Sequence, residues 1–110
     1  MIEATPQEAA LLFDKWRSEG TEVLCTSRLI GWSFVAGGFV LDLSTERAVI
    51  GLKDRWAVTI PFGTDGVFWG YSDDEMGALA IALPRRFFVA ELSAPFPDTT
   101  REVLFIGPAK

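Results

Sequence analysis

The stretch LIGWSFVAGGFVLDL, Leu29 to Leu43, decides how the fold is read, and within it the Gly37-Gly38 pair is the hinge of the reading. A glycine pair suits a two-residue hairpin turn, because the primed turns that match strand twist need positive φ, which glycine adopts at little steric cost. Folding the chain there pairs Ala36 with Phe39, Val35 with Val40, Phe34 with Leu41, Ser33 with Asp42 and Trp32 with Leu43. Side chains alternate between faces along a strand. One face then collects Trp32, Phe34, Ala36, Phe39, Leu41 and Leu43, and the other carries Ser33, Val35, Val40 and Asp42. The competing reading is one long strand bent at a glycine bulge; without the bulge, continuous strand periodicity would place Trp32 and Phe34 on the face opposite Phe39 and Leu41. A one-residue slip would scramble the sorting of the faces, and the hairpin is the preferred reading.

Upstream lies a helix signal. Thr5 suits an N-cap, Pro6 the first helical position and Glu8 the reciprocal position of a capping box. Ala9, Leu12, Phe13 and Trp16 follow helical spacing as one apolar stripe, and Gly20 is placed to cap the C-terminus. The helix is expected over 6–19 with its stripe on a sheet. Downstream, the texture is that of strands separated by short polar turns: Glu22 to Ile30, Trp32 to Ala36, Phe39 to Leu43, Ala48 to Leu52, Trp56 to Phe62 and Val67 to Tyr71. Short turns favour antiparallel neighbours, since parallel pairing needs longer crossovers. Ser72 to Met76 is ambiguous between a second capping box and a turn. Leu79, Ile81 and Leu83 alternate with alanines, Gly77 weakens a helix and Pro84 ends it, so a strand from Ala78 to Leu83 is expected. A partner strand over Phe87 to Leu92 and a last one over Val103 to Ile106, on an edge or in a partner subunit, complete the reading. The expected architecture is mainly β (α+β). An N-terminal helix packs on an antiparallel meander or small SH3- or Sm-like barrel over 22–71, with a C-terminal β extension over 78–106.

A chain of 110 residues is one domain by size, and 49% hydrophobic content with 9 Phe and 4 Trp is incompatible with disorder. The net charge of −5 disfavours non-specific binding to phosphate backbones or anionic membranes. The single cysteine, Cys25, allows no internal disulfide and fits a reducing compartment. The first residues lack the basic segment of a secretory signal, and the apolar run from Leu29 to Leu41 is too short and glycine-broken to span a bilayer. A cytoplasmic location is the expectation. Histidine is absent, which removes the commonest general acid-base and metal ligand together.

Few residues suggest chemistry. Cys25 has no histidine to activate it and reads as a small buried strand residue. Asp73-Asp74-Glu75 lacks the alternate-ligand spacing of a calcium loop and reads as a solvated turn or helix start. Gly63-Thr64-Asp65-Gly66 lacks the lysine of a phosphate loop. Asp42 ends an apolar strand on its polar face. Phe62, Phe68, Trp69 and Tyr71 form an aromatic group able to stack a base or grip a peptide, against a core role for at least one set of them. Alternation sends Phe68 and Gly70 one way, and Val67, Trp69 and Tyr71 the other. Asp42 and these four aromatics are the candidate binding residues. No catalytic residue, cofactor or metal is implied.

From Thr5 to Tyr71, a helix followed by five closely spaced strands resembles the Sm-like small β-barrels that bind RNA as rings. Leu41-Asp42 falls where that family has an apolar-Asp pair, and Trp69-Gly70 near its Arg-Gly turn. Glu46 stands at the position of the family's base-contacting asparagine and Trp69 at that of its arginine, which disfavours RNA. The resemblance implies an architecture and self-association. The leading expectation is a non-enzymatic binding or self-assembling module, with a homo-oligomer or protein partner. The alternatives are single-stranded nucleic-acid binding, or a small-ligand protein or enzyme using Asp42, the 73–75 carboxylates or Cys25.

Overall fold

Helix α1, Pro6–Glu19, begins where its signals lie. The Thr5 N–H donates to Glu8 Oε1 at 3.0 Å and the Glu8 N–H donates to Thr5 Oγ1 at 3.1 Å, so two N-terminal donors are satisfied reciprocally. Gly20 closes the other end in the left-handed conformation, φ 65°, its N–H donating to the carbonyl of Arg17. Ala9, Phe13 and Trp16 are buried and Leu12 packs beside them, as the spacing predicts. The structure is a computed structural model that describes residues 2–29, 32–52, 57–63, 67–84 and 101–109.

Among the described residues, eight strands accompany the helix: β1 Ile2–Glu3, β2 Val23–Leu29, β3 Trp32–Leu43, β4 Arg47–Leu52, β5 Ala57–Pro61, β6 Phe68–Tyr71, β7 Leu79–Pro84 and β8 Arg101–Pro108. They form one antiparallel sheet in the order β1-β6-β7-β8-β2-β3-β4-β5. The mainly β expectation holds at this level. Among the described residues the sheet ends at β1 and β5 and is not closed into a barrel.

The hairpin at Gly37-Gly38 does not form. β3 runs straight through both glycines, and β2 pairs with it from Leu29↔Trp32 to Val23↔Gly38, so the antiparallel partner of this stretch is β2 and not β3's own second half. The pairings centred on the glycines, Ala36 with Phe39 through Trp32 with Leu43, are therefore absent, and Asp42 faces Val49 instead of Ser33. Gly38 is needed for another reason. A Cβ there would overlap the Gly51 carbonyl oxygen of β4 and lie 2.9 Å from its carbon and 3.0 Å from Leu52 Cα. Close backbone approach and a tight turn leave the same mark in a sequence. The break in alternation lies further on, where the β3–β4 register shifts between Val40 and Asp42 and leaves Leu41 as the extra residue. Val40 is buried, Leu41 and Asp42 are both exposed, and Leu43 returns to pack on the core.

One face of the sheet holds the core. Val23, Cys25, Val40, Ala48, Ile50, Val58, Ile60, Leu79, Ile81, Leu104 and Ile106 join the helical stripe in a single buried cluster. Phe62, one residue past β5, stacks on Trp69 of β6 with ring centroids 5.4 Å apart at 26°. Phe13 of the helix lies 6.1 Å from Phe62 and 6.2 Å from Trp69. The two ends of the sheet thus approach each other and the helix through aromatic rings, and among the described residues no backbone pairing joins them there.

Residues 72–78 make a turn, with the Ser72 N–H bonded to the Ala78 carbonyl and the Gly77 N–H donating to Asp73 Oδ1 at 2.7 Å. The strand reading of the alanine-rich segment is correct, as β7. The strand expected over Phe87 to Leu92 lies outside the described residues. The last strand is not at an edge. β8 sits between β7 and β2, with Ile106 opposite Leu79 on one side and Cys25 on the other.

Candidate functional site

The residues singled out from the sequence fall in three places. Phe62, Trp69 and Tyr71 belong to the core side: Trp69 and Tyr71 are buried and Phe62 is half-buried against them. Phe68 lies on the opposite, outer face and is 60% exposed. Asp42 is exposed at the β3 bulge, on the other half of the sheet. The alternation sorted the aromatics as observed, but the structure does not gather the five into one cluster.

Tyr71 anchors the helix start to the sheet. Its hydroxyl donates to Glu8 Oε2 at 2.7 Å while the other oxygen of that carboxylate serves the cap. The Tyr71 bond, followed by those from Thr5, holds the Glu8 carboxyl below its ordinary value, and the same bond raises the Tyr71 phenol. Every partner in this arrangement is accounted for locally, which marks it as a structural joint. Cys25 is fully buried between Ala36 and Ile106, and burial pushes its thiol up to about 12. A thiol in that state is inert as a nucleophile near neutrality. Asp73 is occupied in capping Gly77, and no group of three or more metal-ligating side chains occurs among the described residues. No helix among them is long and apolar enough to cross a membrane.

The feature missed in the sequence is the outer face of β2 and β3. With β3 read as one strand, Val35, Gly37 and Phe39 point outward together, and the bulge adds Leu41. Val35 is 65% exposed, Leu41 61% and Phe39 47%, an apolar row turned away from the core. Leu24 of β2 stands opposite Gly37, and Phe105 of β8 stands opposite Thr26; both are exposed. Glycines shape the surface between them. Leu41 leans over Gly51, where a Cβ would meet its Cγ at 2.8 Å. At Gly37 the bare backbone admits the Glu22 carboxylate, whose Oε2 would lie 3.4 Å from a Cβ. Beyond Leu24, a shallow open depression of about 210 Å³ is lined by Thr26, Ala78, Phe105, Gly107 and Pro108. The signal was available, since strand periodicity carried through the glycines without a bulge puts Phe39 and Leu41 opposite Trp32 and Phe34. The turn reading of the glycines hid it.

This arrangement can bind by contact. Each half-exposed Val, Leu or Phe returns on the order of 1 kcal/mol when covered, and an aromatic amid aliphatic neighbours is the usual composition of an energetic centre. Glu22 and Asp42 place carboxylates at its margin. No family model, curated protein or solved structure matches the chain.

Proposed function

We propose that the chain is a non-enzymatic interaction module that docks a basic protein partner on the outer face of its sheet. The observation that carries this reading is the row Val35, Phe39 and Leu41, exposed side by side on β3 and extended across β2 by Leu24. A contiguous exposed apolar surface on a folded domain is costly to leave uncovered and commonly marks an interaction site. The partner's charge follows from the margin. Glu22 and Asp42 border the row and the chain carries a net charge of −5, so a cationic rim around an apolar centre is the complementary surface. Nucleic acid is a poorer fit, because the rings of Trp69 and Tyr71 are committed to the core and the overall charge repels phosphate.

The test is differential capture by the immobilised chain from an extract of its source cells. The wild type is compared with Phe39→Asp and Val35→Asp on the row, and with Leu11→Asp on the exposed side of the helix as control. Basic proteins retained by the wild type and the helix variant, lost by both row variants, and released progressively by salt are the expected result. A captured set indifferent to the row variants, or no basic protein in it, removes the reading.

A further inference from the structure

We infer that β5 is a self-pairing edge, and that two copies of this chain join through antiparallel β5–β5 pairing about a two-fold axis centred on Thr59. The two strands at which the sheet ends among the described residues differ in kind. β1 is two residues long and carries the charge of Glu3, a short and blunted edge. β5 is five residues, Ala-Val-Thr-Ile-Pro, with no charged side chain to repel a copy, and among the described residues no strand pairs with its outer side.

The hydrogen-bond phase of β5 is fixed by the Phe62 N–H, which donates to the Glu46 carbonyl at 2.8 Å. Antiparallel pairs alternate between bonded and non-bonded. Val58 and Ile60, opposite Ile50 and Ala48, therefore turn their backbone groups toward β4, while Ala57, Thr59 and Pro61 turn theirs outward. The outward donors are the N–H groups of Ala57 and Thr59, because Pro61 has none. With Thr59 set against Thr59 of the second copy, each Thr59 N–H meets the other's carbonyl and each Ala57 N–H meets a Pro61 carbonyl. Every outward donor of both strands finds an acceptor, and the Ala57 carbonyl opposite each Pro61 is left to solvent. Setting Pro61 against Pro61 would leave that central pair without a donor, whereas Thr59 against Thr59 leaves no outward N–H of Ala57 or Thr59 unmet. The Thr59 side chain is exposed, and the two copies of it would sit side by side, a favourable cross-strand pair. Strand addition of this kind derives affinity from the backbone and needs no apolar patch. It leaves the β2–β3 face uncovered, and the two outer faces would lie in one continuous surface.

The test is sedimentation equilibrium of the full chain from about 1 to 200 µM, a span chosen to bracket weak and moderate dimers, with hydrogen exchange read at single amides. The expected result is a dimer of the 12.1 kDa chain, with the Ala57 and Thr59 amides gaining protection as concentration rises. Thr59→Pro removes one outward donor while leaving the β4 ladder its partners, and Thr59→Lys sets two ammonium groups together at the axis. Each is expected to weaken the dimer at least tenfold with an unchanged circular dichroism spectrum; if the proline variant does not fold, the lysine variant decides. Phe39→Asp, which tests the docking face, is expected to leave the dimer intact, so the two readings fail separately. A wild type that stays monomeric throughout, or a dimer indifferent to both Thr59 variants, overturns the inference.

Discussion

Two adjacent glycines should respond to the same substitution in opposite ways. A Cβ at Gly38 collides with backbone, overlapping the Gly51 carbonyl oxygen and standing 2.9 Å from its carbon, so no side-chain rotation relieves it. The β3–β4 pair has to open at Gly38↔Leu52 and Phe39↔Gly51. Overpacking of this type costs about 1–3 kcal/mol and one or two loosened ladder hydrogen bonds roughly 1 kcal/mol each, offset by about 0.4–1 kcal/mol from the less flexible unfolded chain. Gly38→Ala is therefore expected to lose about 2–4 kcal/mol, a large part of the roughly 5–15 kcal/mol typical of a domain. At Gly37 the same methyl group meets only the end of the Glu22 side chain at 3.4 Å, which can swing aside. Gly37→Ala is expected to range from neutral to a gain of about 1 kcal/mol. Urea unfolding measures both. With a slope of about 1–3 kcal/mol per molar, the Gly38→Ala midpoint should fall by roughly 1–2 M at unchanged slope while that of Gly37→Ala holds or rises. A turn with positive φ at both residues would make both substitutions costly. Equal losses, or a Gly38→Ala midpoint equal to that of the wild type, would refute the continuous strand.

Two further outcomes follow from the core side. Glu8 has a lowered folded-state value, so the stability it contributes is present above its ordinary value of 4.5 and is lost as pH falls through the lowered one. Tyr71 is raised, so its contribution is present below its ordinary value of 10.0 and is lost as pH rises through the raised one. Tyr71→Phe should lower the urea midpoint between those limits and flatten the acid and alkaline limbs together; limbs of unchanged steepness would mean the bond is not formed. Cys25, buried with its thiol at about 12, should resist a thiol-specific disulfide reagent at pH 8 and react at the rate of global opening, accelerating with urea. Labelling of the native protein at the rate of a free thiol would place Cys25 at the surface.

What was legible in the sequence was local. The helix and both its caps follow from Thr5, Pro6, Glu8 and Gly20 because those residues act on backbone within one turn of themselves. The strand character of β7 follows from alternation over six residues. The error at Gly37-Gly38 has a non-local cause, since the carbonyl that demands a glycine at residue 38 belongs to Gly51, 13 positions away. The Leu41 bulge is likewise set by pairing with β4. Because the face assignment of Phe39 and Leu41 hung on that turn, the error carried these two exposed side chains into the supposed core. The Tyr71–Glu8 bond, 63 positions apart, had no sequence signature at all.

The position of β8 has a kinetic consequence. It joins the meander β2–β5 to the pair β6–β7, and its ladder brings Val23 against Pro108, 85 positions along the chain. Until that ladder forms, β2 and β7 each present an unpaired inner edge, and closing so long a loop is entropically slow. Folding should therefore stall with two preassembled halves whose exposed edges compete for any strand at hand, including the same edges of other copies. Aggregation during refolding should rise with protein concentration and fall when a peptide spanning Arg101 to Pro108 is supplied in trans to fill the gap.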